Sequence, residues 1–407
     1  MATLIDRADR SAAALIALEG RYGAANYAPL EVVIARAEGV HAWDVAGNRY
    51  LDCISAYSAV NQGHCHPKIH AALVEQAARV TLTSRAVHND RLGPLLEELS
   101  EYSGQEMALV MNTGAEAVET AIKLARRWGY RRKGIAAGRA RIVVCDRNFH
   151  GRTTTVISAS GDAQYRADFG PYTPGFTIVP YGDLSALRAT LAEDVCAFLF
   201  EPVQGEGGVN LPPAGYLAAA HALCRERDVL FVDDEIQTGF GRTGARFAID
   251  HDGIVPDIVI VGKALGGGYY PVSAALASRA LLGLFGPGDH GSTFGGNPLG
   301  CEVARAALRV VTEERLADNA RERGDELMRL LRAIEHPLVA EVRGRGLLIG
   351  IELTVAAKAL SKALLREGVL AKDTQERVLR IAPPLVLDSA QAAEIAAAVE
   401  RALAHLS

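Results

Sequence analysis

Four short, almost purely apolar runs constrain this chain more than any other feature. They are RIVVCD (141–146), VCAFLFEP (195–202), VLFVDDE (229–235) and DIVIVGK (257–263). A strand with one wet face alternates apolar and polar residues. Near-continuous Val, Ile, Leu and Phe instead mark parallel strands covered on both sides. Helical patterns, such as 115–133 and 214–227, separate the runs. The alternation predicts an α/β fold, a mostly parallel sheet flanked by helices.

At 407 residues the chain exceeds one ordinary core. A long helical pattern begins after Asn297-Pro298, followed by short strands in LLIGIEL and VLRIAPP and a final helix. On that helix Asp388 and Gln391 form a capping pair, and Ile395, Val399, Leu403 and Leu406 share one stripe. Near the start, GVHAWD precedes a turn at Gly47-Asn48. The expected division is an N-terminal segment (1–60) packing with a small C-terminal α+β domain (311–407), around a large domain (61–310).

Bulk properties exclude several function classes. A net charge of −5 gives no general attraction for nucleic acid or an anionic membrane. No apolar run approaches the roughly 18–20 residues that span a bilayer. Asp6, Asp9 and Glu19 argue against a transit peptide, so a cytoplasmic location is expected. The six cysteines are scattered and read as reduced, mostly structural thiols. His64-Cys65-His66-Pro67 lacks a second ligand pair, and no metal is expected. The glycine fingerprints of dinucleotide and nucleoside-triphosphate sites are missing, as is a nucleophile elbow.

Chemistry concentrates at the carboxyl ends of the apolar runs, where open α/β sheets place their ligands. Lys263 ends DIVIVGK and precedes Ala-Leu-Gly-Gly-Gly, which permits close backbone approach. A lysine there suits a Schiff-base role if partly desolvated, although a lone strand-end lysine is more often solvated. Asp234 ends the preceding run and should share that rim. A carboxylate at a pyridine nitrogen would keep a pyridoxal ring protonated, and strand alternation lets only some of Asp233, Asp234 and Glu235 aim there. Taken singly, an acidic strand end capping a turn is the commoner case. The pair is far more specific than either residue. Thr113-Gly114-Ala115 precede a helix whose start can hold a phosphate, or simply carry a Thr113 or Asn112 cap. HGSTFGGNP (290–298), with Ser292 and Thr293, is a second phosphate-contacting loop or merely a turn. Arg152 and Arg380 are candidates for gripping carboxylates, and Phe149 for stacking on a ring.

Taken in order, these segments resemble the class III aminotransferases of the pyridoxal-phosphate (PLP) fold-type I superfamily, from GAANYAPL to RIAPPLV. DEIQTG, GKALGGG and GNPLG are shared across the class. SAYSAVNQGH and GAANY are most similar to the ornithine aminotransferases. The resemblance implies PLP on Lys263, Asp234 at the ring nitrogen, Gln237 at the ring hydroxyl and Phe149 on the ring face. Gly114, Ala115 and Thr293 of a second copy would hold the phosphate, with Ser292 beside it, which implies a homodimer at least. L-Ornithine would meet Arg152 and Tyr27, with Tyr57 lining the pocket. The α-carboxylate of glutamate, formed from 2-oxoglutarate, would use Arg380, which Glu206 covers during the first half-reaction. His150 stands where many ornithine enzymes carry Trp, and FHGR is reminiscent of acetylornithine aminotransferases. Acetylornithine or another ω-amino acid is therefore the nearest alternative donor. A non-catalytic PLP-binding or metabolite-sensing protein is the alternative of a different class.

Overall fold

A computed structural model of the chain describes residues 11–406. Asp6 and Asp9, used above against a transit peptide, lie outside the described residues. A seven-stranded sheet runs in the order Met107–Met111, Ser273–Ala277, Ile258–Val261, Leu230–Asp234, Val195–Phe200, Arg141–Cys145 and Phe176–Val179. The four apolar runs form its parallel centre, and Ser273–Ala277 is antiparallel to both neighbours. Val195–Phe200 and Leu230–Asp234 are buried at every position, as unbroken apolar runs require.

The helix expected over 115–133 runs from Gly114 to Trp128 and continues as a single π turn, Gly129–Lys133. A Cβ on Gly129 would lie 2.8 Å from Cys196 Cβ, so this helix approaches the sheet closely only with glycine there. The long pattern after Asn297-Pro298 is two helices, Pro298–Glu313 and Leu316–Arg332. They part at Arg315, whose φ is +51°.

Two smaller sheets flank the large one. Ile34–Glu38, His41–Asp44 and Arg49–Asp52 form an antiparallel meander, and Val369–Leu370 adds to it parallel to Arg49–Asp52. The other is antiparallel, in the order Val339–Arg345, Leu348–Leu353, Val378–Ile381 and Lys372–Thr374. The last helix, Ser389–Ala404, carries the expected reciprocal cap: Asp388 accepts from Gln391 N at 2.8 Å, and Gln391 accepts from Asp388 N at 2.9 Å. Ile395, Val399 and Leu403 on its stripe are fully buried.

Arg242 clasps these parts together. It is fully buried and donates to Leu347 O (2.9 Å), Pro383 O (2.6 Å) and Asn61 Oδ1 (2.6 Å). Burial pushes its pKa down to about 9. Arg242→Met would leave three acceptors unpaired, a loss of about 3–5 kcal/mol by analogy with broken buried pairs. At about 2 cal/mol/K of unfolding entropy per residue, that lowers the Tm by roughly 5 °C. Calorimetry of the two holoproteins checks this, and an unchanged Tm would show that the clasp contributes nothing.

Among the described residues no helix is long and apolar enough to cross a membrane, and no group of His, Cys, Asp and Glu could hold a metal ion.

Candidate active site

A cavity of about 190 Å³ opens at the carboxyl ends of the central strands. Its walls include Gly114, Ala115, Phe149, His150, Glu201, Glu206, Asp234, Gln237 and Lys263. A larger depression of about 940 Å³ lies at the opposite, amino-terminal rim, between Lys133–Ala136, Leu191–Asp194 and Arg227–Asp228. It gathers no comparable constellation. Size alone would point to the wrong rim.

Lys263 follows the Ile258–Val261 strand, in a turn at φ +45°. Among the described residues no hydrogen bond or ion pair engages its amine. Burial holds its pKa below the ordinary lysine range, against the raising pull of Glu206. A group that gives up its proton easily and has no partner of its own is free to act as a nucleophile.

The acidic trio sorts itself by strand alternation. Asp234 faces the cavity, accepting from Ile236 N at 3.1 Å, while its Oδ2 stands 2.6 Å from His150 Nδ1. Asp233 and Glu235 belong to the other face. Asp233 is fully buried and its carboxyl oxygens have no partner. Burial and the neighbouring charges of Glu235 and Asp234 push its pKa well up. Glu235 accepts from Ile249 N at 2.9 Å and from the Thr238 hydroxyl, and burial raises it to about 7. Of the three, only Asp234 lines the cavity.

His150 is the residue that the sequence reading left without a role. Burial opposes its charge, yet the hydrogen bond and charge of Asp234 outweigh that, and its pKa lies above the ordinary histidine value. Glu201 lies behind, accepting from Phe149 N at 2.9 Å and raised to about 7 by burial. FHGR contains the His150 signal, because adjacent residues leave a strand in different directions. Nothing local shows that His150 meets a residue 84 positions away.

Four features fit PLP. Thr113 caps the Gly114–Trp128 helix, and the capping box occupies the amides of Asn112, Thr113 and Glu116. The Gly114 and Ala115 amides at the cavity wall remain for a phosphate. Gln237 donates to Glu206 Oε1 at 3.2 Å, while its own Oε1 is buried without a partner, as an acceptor for a ring hydroxyl requires. A Cβ on Gly205 would fall 1.3 Å from that oxygen, so any larger residue there would displace the Gln237 amide. Asp234 supplies the carboxylate, and Lys263 the free amine.

The carboxylate-binding candidates lie around the mouth. Arg380 is 3% exposed and paired with Glu206 Oε1 at 2.6 Å. Arg380 pulls Glu206 below its usual pKa although burial opposes this. The Tyr57 ring stands 5.1 Å from the Arg380 guanidinium. Arg152 lies outside the 190 Å³ cavity, with its guanidinium 5.1–5.7 Å from the rings of Tyr165, Phe149 and Tyr27. Tyr165 carried no sequence signal. Ser292 accepts from Asn112 Nδ2 at 2.8 Å, one residue from the helix cap. Thr293 is exposed and does not line the cavity of its own chain.

The profile of the aminotransferase class-III family matches residues 22–403. The ornithine aminotransferase of Bacillus cereus (strain Q1) is 56% identical over 373 residues, covering 92% of this chain and 94% of that protein. The crystal structure of the ornithine aminotransferase from Toxoplasma gondii ME49 superposes with a TM-score of 0.96 at 42% identity, covering 98% of this chain and 96% of that one. An acetylornithine aminotransferase from Elizabethkingia anophelis gives 0.89 at 44% identity, covering 98% of this chain and all of the other. A profile spanning nearly the whole chain and relatives of this identity place the protein in one family: it is a class III aminotransferase.

Proposed function

We propose that this enzyme is a PLP-dependent aminotransferase that moves the terminal amine of L-ornithine to 2-oxoglutarate. The products are L-glutamate and glutamate 5-semialdehyde, which cyclises to pyrroline-5-carboxylate. The observation that carries this reading is the pairing of Arg380 with Glu206, a wall residue of the cavity that holds Lys263. Two substrates must use one site in opposite senses, and a covered arginine permits that.

Bound in the cavity, PLP supplies an electron sink and a carrier for the amino group. The chain supplies the rest. The Gly114 and Ala115 amides would hold the phosphate, Gln237 Oε1 would accept from the ring hydroxyl, and Asp234 would keep a proton on the ring nitrogen. Lys263, whose pKa burial lowers, would take the proton from the carbon bearing the transferred amine and return it elsewhere. With Glu206 over Arg380, ornithine anchors its α-carboxylate at Arg152 and its α-amine at Tyr27, so the distal amine reaches Lys263. The α-carboxylate of glutamate displaces Glu206 from Arg380, and its distal carboxylate takes Arg152. Two copies assembling as a dimer, each lending Thr293 to the other's cavity, complete the proposal.

His150 and the Elizabethkingia relative favour N-acetylornithine as a second reading. The test is a half-reaction without 2-oxoglutarate, mixing holoenzyme with L-ornithine, N-acetylornithine or 4-aminobutyrate. Loss of the cofactor absorption and trapping of pyrroline-5-carboxylate are followed. Rapid conversion of ornithine to the cyclic product is expected, and a preference for N-acetylornithine would move the assignment to that donor. Glu206→Gln should slow the ornithine half-reaction about 10–100-fold and spare that of glutamate, because Arg380 is then uncovered. Equal losses in both halves would remove the switch from the mechanism.

A further inference from the structure

Four consecutive residues, Ser55, Ala56, Tyr57 and Ser58, have φ of 48°, 44°, 59° and 74°. None is glycine or asparagine. In this region Cβ crowds the following carbonyl, so single residues visit it and runs do not. The segment is one turn of left-handed helix, and such a conformation persists only when its surroundings over-determine it.

The surroundings do so from both sides. Ahead of the turn, Asp52 Oδ1 accepts from the amides of Ile54 (2.8 Å) and Ser55 (3.1 Å), and Asp52 Oδ2 stands 2.7 Å from His64 Nε2. Behind it, Asn61 donates to Phe240 O at 3.2 Å and Gln62 to Ala264 O at 2.9 Å. The turn's own side chains do not explain its shape, because the hydroxyls of Ser55 and Ser58 are buried without partners. What the turn accomplishes is the placement of Tyr57. Its ring faces Arg380 at 5.1 Å, and its carbonyl lies 3.5 Å from Gln237 Nε2. A right-handed turn over the same residues would aim that ring elsewhere.

We propose that the left-handed turn Ser55–Ser58 is a specificity-determining element, in which Ala56 is a positioning residue that holds Tyr57 against Arg380. With the ring there, a donor enters distal amine first. The inference rests on the functional reading above and adds the backbone device behind it. Ala56 is exposed, so substitutions there act through the backbone rather than through packing. A β-branched residue at positive φ is a genuine outlier, whereas glycine adopts that region freely.

The test compares kcat/KM for L-ornithine and 4-aminobutyrate in wild-type, Ala56→Gly, Ala56→Val, Tyr57→Ala and the Ala56→Val/Tyr57→Ala holoenzymes. Ala56→Val is expected to lower the ornithine to 4-aminobutyrate ratio about tenfold, the effect of one lost pocket contact. Ala56→Gly should retain the wild-type ratio. The double variant should match Tyr57→Ala, as a residue acting through Tyr57 requires. A merely structural role would lower both donors equally and keep the ratio, which overturns the proposal. So does a glycine variant that shifts the ratio as far as valine. A wild-type enzyme that fails on ornithine sinks the functional reading, and this inference with it, before any variant is compared.

Discussion

Lys263→Ala is expected to reduce turnover at least about 10⁴-fold, the scale of removing a covalent nucleophile that also moves the proton. Stability should move the other way or not at all. The amine has no hydrogen bond or ion pair to lose among the described residues, and burial already disfavours its charge. Taking such a cation out of a desolvated site relieves a cost, the common pattern where function and stability conflict. Cofactor should still enter, since the Gly114 and Ala115 amides, Gln237 and Asp234 are untouched. It should then dialyse away without the covalent anchor. The measurements are single-turnover amine transfer, calorimetry and cofactor retention on a desalting column. Turnover within a hundredfold of wild type would remove Lys263 from the chemistry. A Tm that collapses with the activity would make the residue structural.

The parallel centre of the large sheet was legible because burial on both faces leaves a signature in the sequence: Val195–Phe200 has no polar position to interrupt it. Ser273–Ala277 had no such signature. SAALA is small and alanine-rich, a composition closer to a helix than to a strand, and it is the antiparallel member that periodicity could not place. The break at Arg315 was equally silent, because a left-handed arginine is held by its context and not by its own preference. The same holds for SAYS, whose four letters contain no residue that favours positive φ. At the site, Lys263 and Asp234 could be read from strand ends, since parallel strands deliver their carboxyl termini to one rim. The Glu206–Arg380 pair spans 174 positions and the His150–Asp234 contact 84, and no local pattern encodes either. Their roles came from resemblance or were missed. Arg152 shows the limit of resemblance as well. It lies outside the cavity walls, with its guanidinium 5.1–5.7 Å from three aromatic rings.

Asp234→Asn should lower the rate of amine transfer about 10³-fold, a loss of about 4 kcal/mol in the barrier. Of the acidic trio it alone lines the cavity: Asp233 and Glu235 lie on the far face, where burial raises both above the usual carboxylate range. A fixed carboxylate held there by Ile236 N and His150 would act on the ring nitrogen in a low-dielectric site, where such interactions are strongest. Asparagine keeps the volume and can still accept from Ile236 N, so the fold should persist. What it cannot do is hold a proton on the facing nitrogen or balance a charged His150. Losing that carboxylate removes the larger of the two influences that raise the His150 pKa, so its pKa should fall. Wild type and variant therefore differ in a second observable. The His150 ring nitrogens, followed by ¹⁵N NMR across a pH titration, should show a lower midpoint in the variant than in wild type. A rate within tenfold of wild type would mean that Asp234 is only a structural partner of His150. A large rate loss with an unchanged His150 signal would mean that Asp234 acts on the cofactor alone, and that His150 draws its charge from Glu201.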